Sequence, residues 1–394
     1  MTEPVCVVGM GMIDGLGNNP SDCFPRMIDN VDYSIDIPEL IQRKENIHRA
    51  ITVDFDTLQL PELNPKLKRS LLKSQLLAFH VTDQALKDSR LPLSQNVAVV
   101  FSSISVSYET FSKTYDTLIG GKKENPRKMV NIIPDMAASH ICTHYGFMGL
   151  STSLSASCST GLYTIDYAQR LCEEYDYVIV GCADANVFLE RILYFDYLGT
   201  LANHNYPFDD RRSGFMMGEG AGCLVLQSIR KAKANRSNVY AMLYPSGCAS
   251  DAVDMTSPAP DGRGAKLAMK KALQNANVEK VDAVSAHATS TIVGDPIEYK
   301  SIVDTLGATP IYAPKSKIGH TIGSAGILEA MYAIQSMRYG IIPHCQNLSE
   351  CSFDTHDCLV REPTDYPNNK ILRTLNNSFA FGGKCISQVI EVVV

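Results

Sequence analysis

Short apolar runs alternate with longer amphipathic stretches along the whole chain, and this alternation limits the architecture more than any other feature. Runs at 5–8, 97–101, 177–180 and 223–226 predict strands in the first half. Runs at 281–285, 311–313, 372–376 and 388–394 predict strands in the second. Stretches at 70–88, 160–174, 265–274 and 326–338 predict helices; in the last, Ile327, Ala330, Met331 and Ile334 recur at helical spacing. Strands alternating with helices predict an α/β architecture with helix-covered sheets. A polar, basic stretch at 230–238 divides the chain into two α/β halves, 1–235 and 236–394.

The 394 residues are 45% hydrophobic, enough for a sizeable core. Thirty-six basic and 42 acidic residues leave a net charge of −6, which argues against bulk attraction to nucleic acid. No segment reaches the ~18 apolar residues of a membrane span. The opening MTEPVCVVGMGM has no basic residue ahead of its apolar run, so it reads as a first strand and not a signal peptide. The twelve cysteines include no CxxC pair, which predicts no zinc site. Without a secretion signal they read as reduced thiols in the cytoplasm. The stretch GMGMIDGLG lacks the spacing and the later acidic residue of a dinucleotide loop.

Segment 153–171, SLSASCSTGLYTIDYAQRL, sets Cys158 among small residues at the start of an amphipathic helix. The positive end of a helix dipole lowers a thiol pKa, and small neighbours let a carbonyl approach the sulfur. A buried structural cysteine is the competing reading. Segment 281–298, VDAVSAHATSTIVGDPIE, ends a strand at His287 and continues with Thr289 and Thr291, hydroxyls suited to a polar ligand arm. Segment 312–330, YAPKSKIGHTIGSAGILEA, carries Lys315 and His320 into a helix through Gly323, Ser324, Ala325 and Gly326. A cysteine and two histidines suit acyl transfer with electrostatic help. On these residues alone, thioester hydrolysis stays equally open.

Together these segments closely resemble the β-ketoacyl-acyl-carrier-protein synthase family, of the elongating Cys-His-His type. The resemblance spans the chain, through VVGMGMIDGLG (7–17), PFDDRRSGFMMGEGAGCLVLQ (207–227), SDAVDMTSPAPDGRGAKLAM (250–269) and NNSFAFGG (376–383). It implies a thiolase-like fold, five-layered α-β-α-β-α and built from two similar halves, in a homodimer. It implies that Cys158 takes an acyl chain from an acyl carrier protein. His287 and His320 would promote decarboxylation of a malonyl unit, supported by Lys315 and Glu329. Thr289 and Thr291 would hold the carrier's phosphopantetheine arm. Phe381 would gate the acyl pocket, and the N–H groups of Cys158 and Phe381 would form an oxyanion hole. The product would be two carbons longer, in fatty-acid or related polyketide or polyene synthesis. No metal or redox cofactor is implied, because the phosphopantetheine belongs to the carrier. The resemblance also reads GMGMIDGLG (9–17) as a structural turn.

The chain departs from the family near these residues. Ala288 stands where the family has glycine, and Ala380, Lys384 and Cys385 replace glycine, threonine and asparagine in the gating loop. Segment 101–111, FSSISVSYETF, corresponds to a glycine-rich lining of the acyl pocket, and its serines and Tyr108 point to a specialised chain. Lys66, Arg69, Arg127 and Lys128 fall where the family docks its acidic carrier. Two other readings follow from the family. A starter-type enzyme would have asparagine where His320 stands, and an inactive partner subunit would lack Cys158. The alternative kept is the catalytic subunit of a heterodimer that needs a chain-length factor.

Overall fold

The computed structural model describes residues 3–105, 114, 115, 117, 119–121, 123 and 126–394, without the side chains at 126–128. Five strands of the first half are β1 (Val5–Asp14), β2 (Val97–Ser102), β3 (Ser151–Thr152), β4 (Tyr177–Asp184) and β5 (Gly220–Ser228). They lie in the order β3-β2-β4-β5-β1. The second half supplies β6 (Ala241–Leu243), β7 (Gly247–Ser250), β8 (Ala283–Ser285), β9 (Ile311–Tyr312), β10 (Ile371–Ala380) and β11 (Lys384–Val393). Five of these lie in the order β9-β8-β10-β11-β6, and β7 pairs with β11.

Numbered along each half, both orders read 3-2-4-5-1. The pairings also match: the two pairs at the outer end are parallel and the two at the inner end antiparallel. The two halves therefore share one topology. They meet where Val5–Val7 of β1 pair antiparallel with Leu243–Ala241 of β6. Each expected strand is present, most of them longer than the apolar run that announced it.

Helices make the remaining layers. Outside the first sheet lie α1 (Lys73–Ser89) and α2 (Met136–Tyr145). Between the sheets lie α3 (Thr160–Gln169) and, later in the chain, α6 (Ala325–Tyr339). Outside the second sheet lie α4 (Arg263–Ala276) and α5 (Gly294–Leu306). The result is the expected α-β-α-β-α stack. Helix α3 ends at Gln169, short of the expected 174. The apolar face foreseen on α6 is an understatement, because every residue from Ala325 to Met337 is buried. A helix between two sheets has no face left for water.

Contact between α3 and α6 depends on absent side chains. A Cβ on Gly161 would lie 2.8 Å from the Ile327 nitrogen and 3.0 Å from the Gly323 carbonyl. The glycines of GMGM have a similar task, so the stretch read as a turn is strand through Asp14 and turns only at 15–16. Gly9 and Gly11 are inside β1, where a Cβ would lie 2.4 Å from the Ala85 carbonyl and 2.1 Å from that of Val81, both on α1. The basic stretch foreseen as a divider begins as a helix, Ile229–Asn235. No helix among the described residues is long and apolar enough to cross a membrane.

Candidate active site

Cys158 sits in a single tight turn, Ser157–Ser159, that runs directly into α3. Ser157 takes a left-handed φ of 53°, which turns the chain sharply. The Thr160 hydroxyl holds this turn: it accepts the Ala156 N–H at 2.9 Å and donates to the Ser157 carbonyl at 2.7 Å. The Ser378 hydroxyl of β10 donates to the Cys158 carbonyl at 3.3 Å. Cys158 is 8% exposed and opens on a cavity of about 380 Å³. His287, His320, Thr289, Thr291 and Phe381 line the same cavity.

His287 follows the end of β8, as its place after an apolar run predicted. Glu298 of α5 fixes its backbone, accepting the N–H groups of His287 at 2.8 Å and Ala288 at 2.7 Å. The Lys315 ammonium donates to His287 Nδ1 at 3.2 Å and also pairs with Glu329. Lys315 is 1% exposed and Glu329 is fully buried, so each charge meets the other in a site with little water. His320 accepts the Ile322 N–H on Nδ1 at 3.2 Å, and its ring stands edge-on to Phe215 at 4.8 Å. The two imidazoles are 5.7 Å apart and nearly perpendicular, at 88°.

These partners settle both tautomers. An ammonium or an amide N–H can only donate, so each Nδ1 accepts and each proton resides on Nε2. Burial, then the nearby Lys315 charge, holds both histidines well below the ordinary imidazole pKa; His320 adds to this for His287, and Arg191 for His320. Both rings are thus neutral N–H donors. The Nε2 of His320 is buried with no protein partner among the described residues.

The comparisons with known proteins point to one family. Residues 2–232 match the family model for the beta-ketoacyl synthase N-terminal domain, and residues 240–349 match that for its C-terminal domain. The chain belongs to the β-ketoacyl synthase family. It is 28% identical over 403 residues to a 3-oxoacyl-[acyl-carrier-protein] synthase 2 of Staphylococcus aureus (strain COL), covering 96% of each chain. A beta-ketoacyl synthase from Burkholderia phymatum STM815 superposes with a TM-score of 0.89 at 25% identity, over 100% of both chains. The ishigamide ketosynthase/chain length factor gives a TM-score of 0.89 at 24% identity, also over 100% of both. The fold is thiolase-like, and the chemistry is that of a decarboxylating, condensing acyltransferase.

Several expectations for this synthase need correction. The Cys158 thiol is not lowered. Burial pushes it up to about 11, while Lys315 and Arg191 pull it back. Desolvation of a sulfur enclosed by protein outweighs the favourable helix start. The serines of 101–111 that are described do not line the cavity. Ser103 donates to Asp184 at 3.0 Å, and the Ser105 N–H does so at 2.9 Å. Tyr108 lies outside the described residues.

Lys66 and Arg69 are exposed on the short helix Pro65–Lys68 and its cap, and neither lines the cavity. The side chains of Arg127 and Lys128 lie outside the described residues. Ala288 adopts a φ of 30°, a conformation that suits the glycine the family has there. Sequence reasoning missed Glu298, Phe215 and the buried Asp184 and Arg191. Glu298 had a signal, an acidic residue one turn into the helix that opens with Gly-Asp-Pro.

Proposed function

We propose that this β-ketoacyl synthase loads an acyl chain from an acyl carrier protein onto Cys158 and extends it by two carbons from malonyl carrier. Cys158 Sγ attacks the acyl thioester carbonyl, and the backbone N–H groups of Cys158 and Phe381 receive the oxyanion. The intermediate collapses to an acyl-cysteine; the carrier thiol leaves with the proton that Cys158 gave up. Thr289 and Thr291, whose hydroxyls are 3.3 Å apart on the cavity wall, hold the phosphopantetheine arm.

The malonyl thioester then binds with its carbonyl oxygen between the two Nε2–H groups. Carbon dioxide departs, and the electron pair of the broken bond enters an enolate whose oxygen the histidines hold. The enolate carbon attacks the acyl-cysteine carbonyl, a carbon–carbon bond forms, and the Cys158 thiolate is released. Lys315 and Glu329 keep His287 oriented as a donor. The lost carboxylate supplies the electron pair and N–H groups meet the charge, so the scheme needs neither metal nor redox cofactor. The observation that carries this reading is a pair of neutral histidines, each with its proton fixed on Nε2, lining the cavity of a buried thiol.

Lys66, Arg69, Arg127 and Lys128 are the basic residues assigned to meet the acidic carrier. The working assembly is a dimer of identical chains. Its support is the outer edge of β3, which has no strand partner among the described residues, near Met148, which is 75% exposed. Cytoplasmic placement rests on twelve free thiols. The test is intact-mass analysis of the protein with a panel of acyl carriers and malonyl carrier, against Cys158→Ala. Acylation at Cys158 followed by a two-carbon extension supports the scheme. Acylation without extension favours the reading that a chain-length-factor partner is required, and adding one should restore extension. No acyl group on Cys158 overturns the scheme.

A further inference from the structure

The turn that carries Phe381 is built from a loose sequence. Phe381, Gly382 and Gly383 join β10 to β11 between the paired residues Ala380 and Lys384. Gly382 and Gly383 have φ of 81° and 66°, and consecutive glycines confer little rigidity. Yet two of its peptides are held. The Gly382 N–H donates to the Met255 carbonyl at 2.7 Å, and the Gly383 carbonyl accepts the Asp251 N–H at 2.8 Å. The Phe381 carbonyl accepts from the ammonium of Lys384 at 3.2 Å.

Lys384 therefore bends back over the turn it closes. Its Nζ lies 2.8 Å from where a Cβ on Gly382 would stand, so it occupies the space that glycine leaves. The peptide between Phe381 and Gly382 is gripped at both ends, by Lys384 at its carbonyl and Met255 at its N–H. That peptide sets how Phe381 faces the cavity. Phe381 and Ala380 both line the cavity with Cys158, and Ala380 packs against the apolar cluster around the sulfur.

We propose that Lys384 is a positioning residue, a side-chain latch that holds the Phe381 turn against the Cys158 cavity. The proposal rests on the acyl-transfer reading above for its kinetic consequence, and on the turn alone for its structural one. A charged donor on a half-buried carbonyl is a strong hydrogen bond, and its loss leaves the Phe381 carbonyl without that partner beside two consecutive glycines. The neighbouring Phe381 N–H, assigned to the oxyanion, then loses its fixed direction.

Two measurements test the latch in the full-length protein. In hydrogen exchange, Lys384→Met should raise exchange of the peptide spanning 379–385 several-fold, with Lys384→Arg close to wild type. In single-turnover acylation of Cys158 read by intact mass, Lys384→Met should be about tenfold slower. Lys384→Arg should recover to within about threefold, and alkylation of Cys158 by iodoacetamide, which makes no oxyanion, should be unchanged. Unaltered exchange in Lys384→Met overturns the latch whatever the activity. Faster exchange with wild-type acylation overturns its positioning role. A wild type that never acylates counts against the acyl-transfer reading, while the exchange result still decides the latch.

Discussion

Ile322 donates its backbone N–H to Nδ1 of His320 at 3.2 Å, and this bond decides what His320 can do. It denies the ring a free basic nitrogen and leaves the proton on Nε2, which is buried with no protein partner among the described residues. Ile322 can make it because it has a left-handed φ of 56°, in the turn that starts α6. The start of a buried helix thus sets the chemistry of a side chain two residues before it.

Removing that donor should separate the two half-reactions. His320→Ala should slow decarboxylation of malonyl carrier by about 10²–10³-fold, the usual cost of one oxyanion donor. Acyl transfer to Cys158 should stay within a few-fold of wild type. Single-turnover intact-mass assays of each step read the difference. Equal losses in both steps would show that His320 serves the thiol as well.

The Cys158 thiol should behave as a weak acid in the resting protein. Burial raises it to about 11 against the pull of Lys315 and Arg191, so the thiolate is scarce at neutral pH. The rate of iodoacetamide alkylation at Cys158 should still be climbing at pH 9.5, above the ~8.5 of a free thiol. Lys315→Met should lower the rate further at every pH below that. A plateau before pH 8 would mean that the helix start prevails over desolvation.

Asp14 should make stability depend on pH. Its carboxyl is 3% exposed, and burial pushes it up to about 6 although the Tyr332 hydroxyl and the Leu16 N–H donate to it. The folded value stands above the unfolded ~3.9, so between them the folded chain binds more protons. Stability conferred by the neutral carboxyl is present at low pH and lost as pH rises through the folded value. Asp14→Asn keeps the shape without the charge. From pH 4 to 7 it should gain on wild type by on the order of 2–3 kcal/mol in urea unfolding. Parallel pH curves for the two proteins would contradict this.

Gly161→Ala should damage both stability and the site. The added methyl meets backbone atoms of Gly323 and Ile327 at 3.0 Å or less, and neither can move without shifting α6. Overpacking of this kind costs about 1–3 kcal/mol. Because Gly161 is three residues after Cys158, acylation should also fall. Urea midpoints and acylation rates check the two effects; a wild-type midpoint would show that the two central helices can part at no cost.

The α/β class was legible because buried strands and amphipathic helices differ in period, and the runs near 97, 177 and 223 each gave a true strand. Boundaries were less legible. Strand β1 continues ten residues through Gly9 and Gly11, where α1 approaches too closely for a side chain, and local pattern cannot show an approach from 70 residues away. In the site, Cys158, His287, Lys315 and His320 stood out because small and polar residues interrupt apolar runs there. Phe215 and Arg191 did not, since each acts through a contact distant in sequence, and Glu298 was signalled only by its place one turn into a helix.

The sequence by itself determined which residues could be nucleophile, donor and support, since those roles depend on side-chain chemistry and local motif. Only the tertiary structure decided their states. Lys315 and Ile322 fix the proton of each histidine on Nε2, and enclosure by protein sets the Cys158 thiol high. Proton positions and pKa values depend on distance and desolvation in three dimensions, and chain order encodes neither until the two halves close around the site.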